Sequence, residues 1–341
     1  MGAIERDGLR DSKQREYFVD VIKGICALFV IVTHFNLSWE ERTQYLFPFW
    51  IDMAVPIFMI ISGYVNTKSY QNNQIDTFNK AYAMNGIIKK LVRVMVPFVI
   101  VFIIEEAICI WQGASINFWQ FGFDFLNGGK GPGSYYFPIM LQFIFVFPAI
   151  FFIVKSHAKK GVVICFVINF IFELLQRAYG MTDGLYRLLV FRYIFVIACG
   201  CYLASEQFEM KKWMSALSIG IGAGFIVLCC YLEYTPKIIV YWTRTSFVAC
   251  LYIIPIIAVL IRRFGRIRFK PLEVCGKASF NVFLFQMLYY SFIEYKIDIL
   301  TGGILHLFIN LAICTIGGVL FYYIEKPITN KISCLVDKIV R

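Results

Sequence analysis

The sequence offers ten stretches, each apolar for about 17 to 25 residues, which is the length a helix needs to cross a hydrocarbon layer near 30 Å thick. They fall at 18–37, 46–65, 87–110, 134–154, 161–177, 186–204, 213–233, 242–261, 276–295 and 302–324. In hydrocarbon every backbone N–H and C=O must be satisfied within its own segment, so stretches of this kind fold as α-helices. The connections are short, the longest being 66–86 and 111–133, and no polar tract remains that would build a separate soluble domain. Composition agrees: only 16% of residues are charged, where a soluble domain carries about a quarter. The expectation is an all-α, polytopic membrane protein with about ten transmembrane helices, forming one domain over 1–341.

A net charge of +11 would suit a nucleic-acid ligand, but its distribution follows the alternation of the spans instead. With the N-terminus inside, the inner segments hold 24 Lys and Arg, beginning with Arg6, Arg10, Lys13 and Arg15, and the outer segments hold 7. This is the positive-inside asymmetry, which predicts cytoplasmic termini in a bacterial inner or plasma membrane and leaves no reason to invoke nucleic acid. The first apolar run lacks a small-residue cleavage site and reads as a retained anchor. Eleven cysteines sit mostly within spans, without metal-ligand spacing, and read as small apolar packing residues; no metal is expected. No internal repeat is evident. Gly302-Gly303, Gly317-Gly318 and the Gly220, Gly222, Gly224 series fit close helix contacts in lipid better than a phosphate cradle.

Ionisable groups inside spans cost several kcal/mol unless they face a partner or a cavity, and each is therefore a candidate for function. "KGICALFVIVTH" places Lys23 and His34 eleven residues apart, within about 20° of one helix face and roughly 16 Å apart along the axis. They suit a shared path, or equally a snorkelling lysine paired with Asp20 one turn earlier and a histidine at the outer helix end. The second span carries Asp52 and Pro56 and ends in Ser62-Gly63-Tyr64, a tripeptide that alone reads as a helix-ending turn. "KKLVRVMVPF" puts Lys90 and Arg93 on one helix face, as a site or as a topogenic charge cluster. Arg192, inside the sixth span, calls for a carboxylate such as Glu173, Glu105 or Glu106, and serves either pairing or substrate contact. Gln142 and Asn169 suit ties between helices or acceptor contact. His306 lies on the same side as His34, most simply as a hydrated interfacial histidine; His157 lies in a basic inner loop; Glu325 reads as a neutraliser of nearby cations.

Taken together and in order, these pieces resemble the acyltransferase-3 family of integral-membrane O-acyltransferases. Lys23 and His34 match its Arg/Lys, ten residues, His pattern; Ser62, Gly63 and Tyr64 its Ser-Gly-aromatic motif; and Lys90 with Arg93 its paired basic motif. "GPGSYYFPIMLQF" at 131–143 and "EKP" at 325–327 are similar to its mid-chain aromatic segment and closing motif. The resemblance implies ten helices and transfer of an acyl group, most simply acetyl, from cytoplasmic acyl-CoA to a hydroxyl of an extracytoplasmic or lipid-linked glycan of the cell envelope. It implies no permanently bound cofactor, with acyl-CoA as donor substrate. Lys23, Lys90 and Arg93 would then bind the donor's phosphates, and His34 would take the proton of the acceptor hydroxyl.

Two departures stand out. Lys90 replaces an arginine, keeping charge but losing the bidentate fork. Gln286 stands where many relatives carry a second histidine, so it can bind an acceptor but not accept its proton. No esterase-like extracytoplasmic domain is expected. The rival classes are a polysaccharide or small-molecule exporter of related architecture and a membrane sensing module like the membrane part of resistance-associated racemases. The Lys23 and His34 pair separates them, since neither rival needs a base three turns from a cation.

Overall fold

A computed structural model describes residues 17–115, 117–295 and 303–340. Arg6, Arg10, Lys13, Arg15, Lys296, Gly302 and Arg341 lie outside the described residues. Regular structure among the described residues is helical. In chain order the helices are α1 (Tyr17–Thr33), α2 (Trp39–Gln44), α3 (Ala54–Asn72), α4 (Phe78–Ala81), α5 (Met84–Trp111), α6 (Phe118–Leu126), α7 (Tyr136–Ser156) and α8 (Ala158–Ala178). There follow α9 (Asp183–Tyr186), α10 (Ile194–Leu203), α11 (Lys212–Cys230), α12 (Ile253–Phe264), α13 (Lys270–Lys277), α14 (Ser279–Phe292) and α15 (Gly303–Val340).

Five of the described helical segments are long and apolar enough to cross a membrane: Phe47–Asn72, Phe78–Trp111, Tyr136–Ser156, Lys212–Cys230 and Gly303–Lys338. A sixth counts if Thr243–Leu251 and Ile253–Phe264, bent by 60°, form one span. Helix length and composition thus support five or six crossings, where the sequence led us to expect about ten. Helices do stand at the other predicted positions, but α1, α10 and α14 hold only 17, 10 and 14 residues.

Two helix ends also differ from expectation. Ser62-Gly63-Tyr64 does not end a helix but lies mid-way along α3. Gly63 and Gly200 explain why: a Cβ at Gly63 would land on the carbonyl oxygen of Ile197, and one at Gly200 on that of Ile60. The missing side chains let α3 and α10 touch backbone to backbone, the usual way helices gain dispersion contact in lipid. The last helix, predicted to stop at 324, runs on through Pro327 to Val340. Its distal part is tied down by an ion pair of 2.8 Å between Lys89 of α5 and Asp337.

A second glycine contact holds α1 in place. A Cβ at Gly24 would meet the carbonyl oxygen of Leu272, and one at Gly276 that of Asp20, so α13 lies directly against the first half of α1. Among the glycines noted in the sequence, Gly317 faces the Phe285 ring, Gly318 faces Val282 and Gly222 faces Tyr252, while Gly220 and Gly224 face open space. All eleven cysteines are free, and eight are buried, as small apolar packing residues should be.

Candidate functional site

The turn that ends α1 is built by a neighbouring helix. Ser38 begins α2 with a capping box, its hydroxyl accepting the amide of Glu41 and the Glu41 carboxylate accepting the amide of Ser38. That cap sets the direction of α2 and returns Arg42 to the carbonyls left open at the end of α1. Arg42 donates from Nη2 to Thr33 O (2.9 Å) and Phe35 O (3.0 Å), and from Nε to Leu37 O (3.2 Å). A cation at a helix C-terminus also meets the negative end of the helix dipole.

His34 sits in this turn, its amide donating to Ile31 O at 3.2 Å. Its ring lies edge-on to Tyr290 of α14, with centroids 6.0 Å apart, and the Tyr290 hydroxyl donates to Ile31 O at 3.0 Å. From the other side comes the Gly-Pro-Gly segment at 131–133. Gly133 has φ +86°, and a Cβ there would sit 3.4 Å from His34 Nε2 and 3.0 Å from the Phe283 ring. Only glycine takes that backbone conformation at no steric cost, and here it also leaves the space beside His34 Nε2 unfilled.

The His34 side chain borders a cavity of about 580 Å³ whose lining includes Lys23, Arg93, Arg42, Asp52 and Arg244. Ser62 lines it as well. Lys23 and His34 therefore share one space, separated by the three turns of α1. Lys23 pairs with Asp20 (3.0 Å), and at the opposite end Arg244 pairs with Asp52 (3.1 Å) while covering the Trp39 ring at 4.8 Å. Tyr135 and Trp242 add aromatic wall near the Asp52 end, their rings 5.1 Å apart. Among the described residues no group of three or more His, Cys, Asp or Glu is arranged to hold a metal ion.

Several candidates from the sequence take other places. Lys90 does not line the cavity with Arg93; its ammonium donates to the Tyr70 hydroxyl at 3.0 Å and lies 4.6 Å from the Tyr70 ring. Arg192 is 2% exposed, and although the charge of Glu173 acts on it, no carboxylate lies within ion-pair distance of it among the described residues. It donates to the Thr245 hydroxyl at 2.9 Å and lies 4.7 to 5.0 Å from the rings of Tyr186, Tyr193 and Trp242. The expected acids are engaged elsewhere: Glu173 accepts the Tyr186 hydroxyl at 2.7 Å, Glu105 accepts the Lys130 amide at 3.2 Å, and Glu106 pairs with the Lys130 ammonium at 2.8 Å. A delocalised guanidinium among ring faces needs less help from a carboxylate than an ammonium would. Since Thr245, Tyr193 and Trp242 line the cavity, Arg192 braces its wall from behind.

Gln142 is a tie between segments. Its amide nitrogen donates to Leu188 O (2.6 Å) and its oxygen accepts the Val190 amide (3.1 Å). Asn169 is of the same kind, its oxygen accepting the Phe195 amide at 3.5 Å. Gly63 and Tyr64 are buried at the α3 crossing, away from the cavity that their neighbour Ser62 reaches. Glu325 has no cation within ion-pair distance among the described residues; its carboxylate accepts the Asn281 amide at 3.1 Å and the Thr329 hydroxyl, which joins α15 to α14. His306 is not a hydrated interfacial histidine but 2% exposed, its Nε2 3.5 Å from Glu294 and its ring 5.4 Å from Phe35. His157 lies at the junction of α7 and α8, its carbonyl accepting the Gly161 amide. Gln286 is 1% exposed, and neither its oxygen nor its nitrogen has a hydrogen-bond partner among the described residues.

Arg42, Arg244 and Gly133 escaped the reading of the sequence as site residues. A signal for Arg42 was present, since Ser-Trp-Glu-Glu at 38–41 is a capping box four residues beyond His34 and announces a helix that would return its next residue to that turn. Compared with known proteins, residues 16–323 match a family profile described as an acyltransferase domain. No curated protein and no solved structure matches the chain.

Proposed function

The chain belongs to the acyltransferase-3 family, whose acyltransferase domain covers residues 16–323, and from that membership we propose that it moves an acyl group from acyl-CoA to a hydroxyl of a cell-envelope glycan. Membership supplies the reaction class, acyl transfer at a membrane. The donor, the acetyl group and the glycan acceptor are our reading.

One observation carries it: a single cavity is lined by two cations, Lys23 and Arg93, and by His34, which stands three helical turns from Lys23. The phosphates of CoA need cations that stay ionised in a partly dry site, and these two provide them. The roughly 16 Å from Lys23 to His34 along α1 is comparable to an extended pantetheine arm, so a nucleotide held at the first residue presents its thioester near the second. A sugar hydroxyl is a weak nucleophile at neutral pH, and the His34 imidazole accepts its proton as oxygen attacks the carbonyl carbon. Tyr135 and Trp242 give a sugar ring an apolar face to lie on. Lys90, turned to Tyr70, supports α3 and α7 and is not a direct phosphate ligand in this scheme.

Membranes carrying the protein and given labelled acetyl-CoA test the reading. Wild type is expected to label envelope carbohydrate, and His34→Ala to cut that labelling by at least about 100-fold. Charge reversal of Lys23 and Arg93 together is expected to raise KM for acyl-CoA. Labelling that survives His34→Ala would remove the base from the mechanism; donor binding indifferent to the reversals would remove the phosphate site.

A further inference from the structure

We propose that Arg42 binds the thioester carbonyl oxygen as it becomes an oxyanion. The proposal rests on the acyl-transfer reading above and adds to it a group that no motif assigns.

Arg42 has donors to spare. A guanidinium has five N–H groups. Arg42 commits the one on Nε to Leu37 O and the two on Nη2 to Thr33 O and Phe35 O. The two on Nη1 have no protein acceptor among the described residues, and Arg42 lines the same cavity as His34. Two of its three acceptors are the carbonyls of the residues on either side of His34. The free nitrogen is thus fixed to the backbone that carries the base.

Charge separates Arg42 from its neighbour. At the His34 end of the cavity Arg244 is paired with Asp52 at 3.1 Å. Arg42 has no carboxylate within ion-pair distance among the described residues; carbonyl oxygens hold it, and carbonyls leave a full positive charge in place. A donor held rigidly before the reaction stabilises developing negative charge within its reach more than a mobile one does.

In the reaction the acceptor hydroxyl oxygen bonds to the carbonyl carbon and its proton passes to the His34 imidazole. The C=O electron pair moves onto oxygen, which accepts an N–H from Arg42 Nη1. Collapse re-forms C=O, breaks the C–S bond, and the CoA sulfur leaves with the proton that His34 returns.

The test uses the full-length protein in lipid nanodiscs and two probes: CoA itself, and a CoA conjugate carrying a methylphosphonate, a charged tetrahedral group, in place of the acyl carbonyl. Wild type is expected to bind the phosphonate about 30-fold more tightly than CoA, because it alone carries charge at the oxyanion position. Arg42→Gln is expected to bring that ratio near unity with CoA affinity unchanged, and to lower kcat about 100-fold with little change in KM for acyl-CoA. Arg42→Lys should show the same selective loss, since a single ammonium spent on the turn carbonyls has no second nitrogen for the cavity. A preserved phosphonate preference in either variant overturns the assignment to Arg42, as does a parallel loss of both probes, which marks a merely structural role. Wild type that binds neither probe overturns the acyl-CoA reading itself.

Discussion

A methyl group at position 133 would press on the Phe283 ring at 3.0 Å and come into van der Waals contact with His34 Nε2 at 3.4 Å, in a backbone conformation of φ +86°. Gly133→Ala is therefore expected to cost about 1–2 kcal/mol of stability from the left-handed backbone and, separately, to lower transfer by crowding the imidazole. A thermal unfolding midpoint and a labelled-acetate assay on one preparation distinguish the two losses. Residues legible from sequence were those whose cost in lipid announced them: Lys23, His34 and Arg93 are ionisable groups in apolar runs, and they line one cavity. Arg42 and Arg244 looked like ordinary loop charges, because only the return of distant segments brings them inward. Arg192 shows the converse. Its burial and the charge of Glu173 were legible, but its direct contacts were not, since three aromatic rings and a threonine leave no charge pattern to read.

Helix crossings depend on glycines whose importance the chain does not advertise. Gly276→Val would set a branched side chain against the Asp20 carbonyl. Such overpacking costs typically about 1–3 kcal/mol, and because α1 carries Lys23 and His34, transfer should fall in step with stability, unlike the Gly133→Ala case. Beside this crossing, the hydrogen-bonded Arg268 guanidinium, at 3.2 Å, holds the Glu273 carboxyl below its ordinary value. A depressed carboxyl stabilises the fold above the ordinary glutamate pKa of about 4.3 and loses that contribution as pH falls through the lowered value. Unfolding midpoints between about pH 5 and pH 3 should accordingly fall more steeply for wild type than for Glu273→Gln. Sequence placed helices where apolar runs are long, but it ended α3 and α15 early. A glycine that closes a crossing looks like one that ends a helix, and a polar helix tail held by Lys89 and Asp337 looks like a loop.

For the whole molecule the helical class and the cavity's two-ended charge were legible in the pattern of spans and cations, whereas the number of full crossings was not, because hydropathy counts apolar length and not where a helix breaks. On the ten-span alternation read from the sequence, 24 inner against 7 outer basic residues predict that the end of α15 lies on the cytoplasmic side. Cys334 offers a direct check, being exposed while the other ten cysteines are buried or half-buried. A membrane-impermeant maleimide should label it in inverted vesicles and spare it in intact cells, and Cys334→Ser should abolish the signal. The contact of α1 with α13 has a consequence for selectivity. Because one stave, pinned at Gly24 and Gly276, bears both Lys23 and His34, the proposed anchor for a donor's anionic head and the proposed base at its reactive tail cannot drift apart when the surrounding walls breathe. The stave acts as a gauge of fixed length, so donors with a shortened or lengthened arm should be rejected by reach, whatever the affinity of their heads.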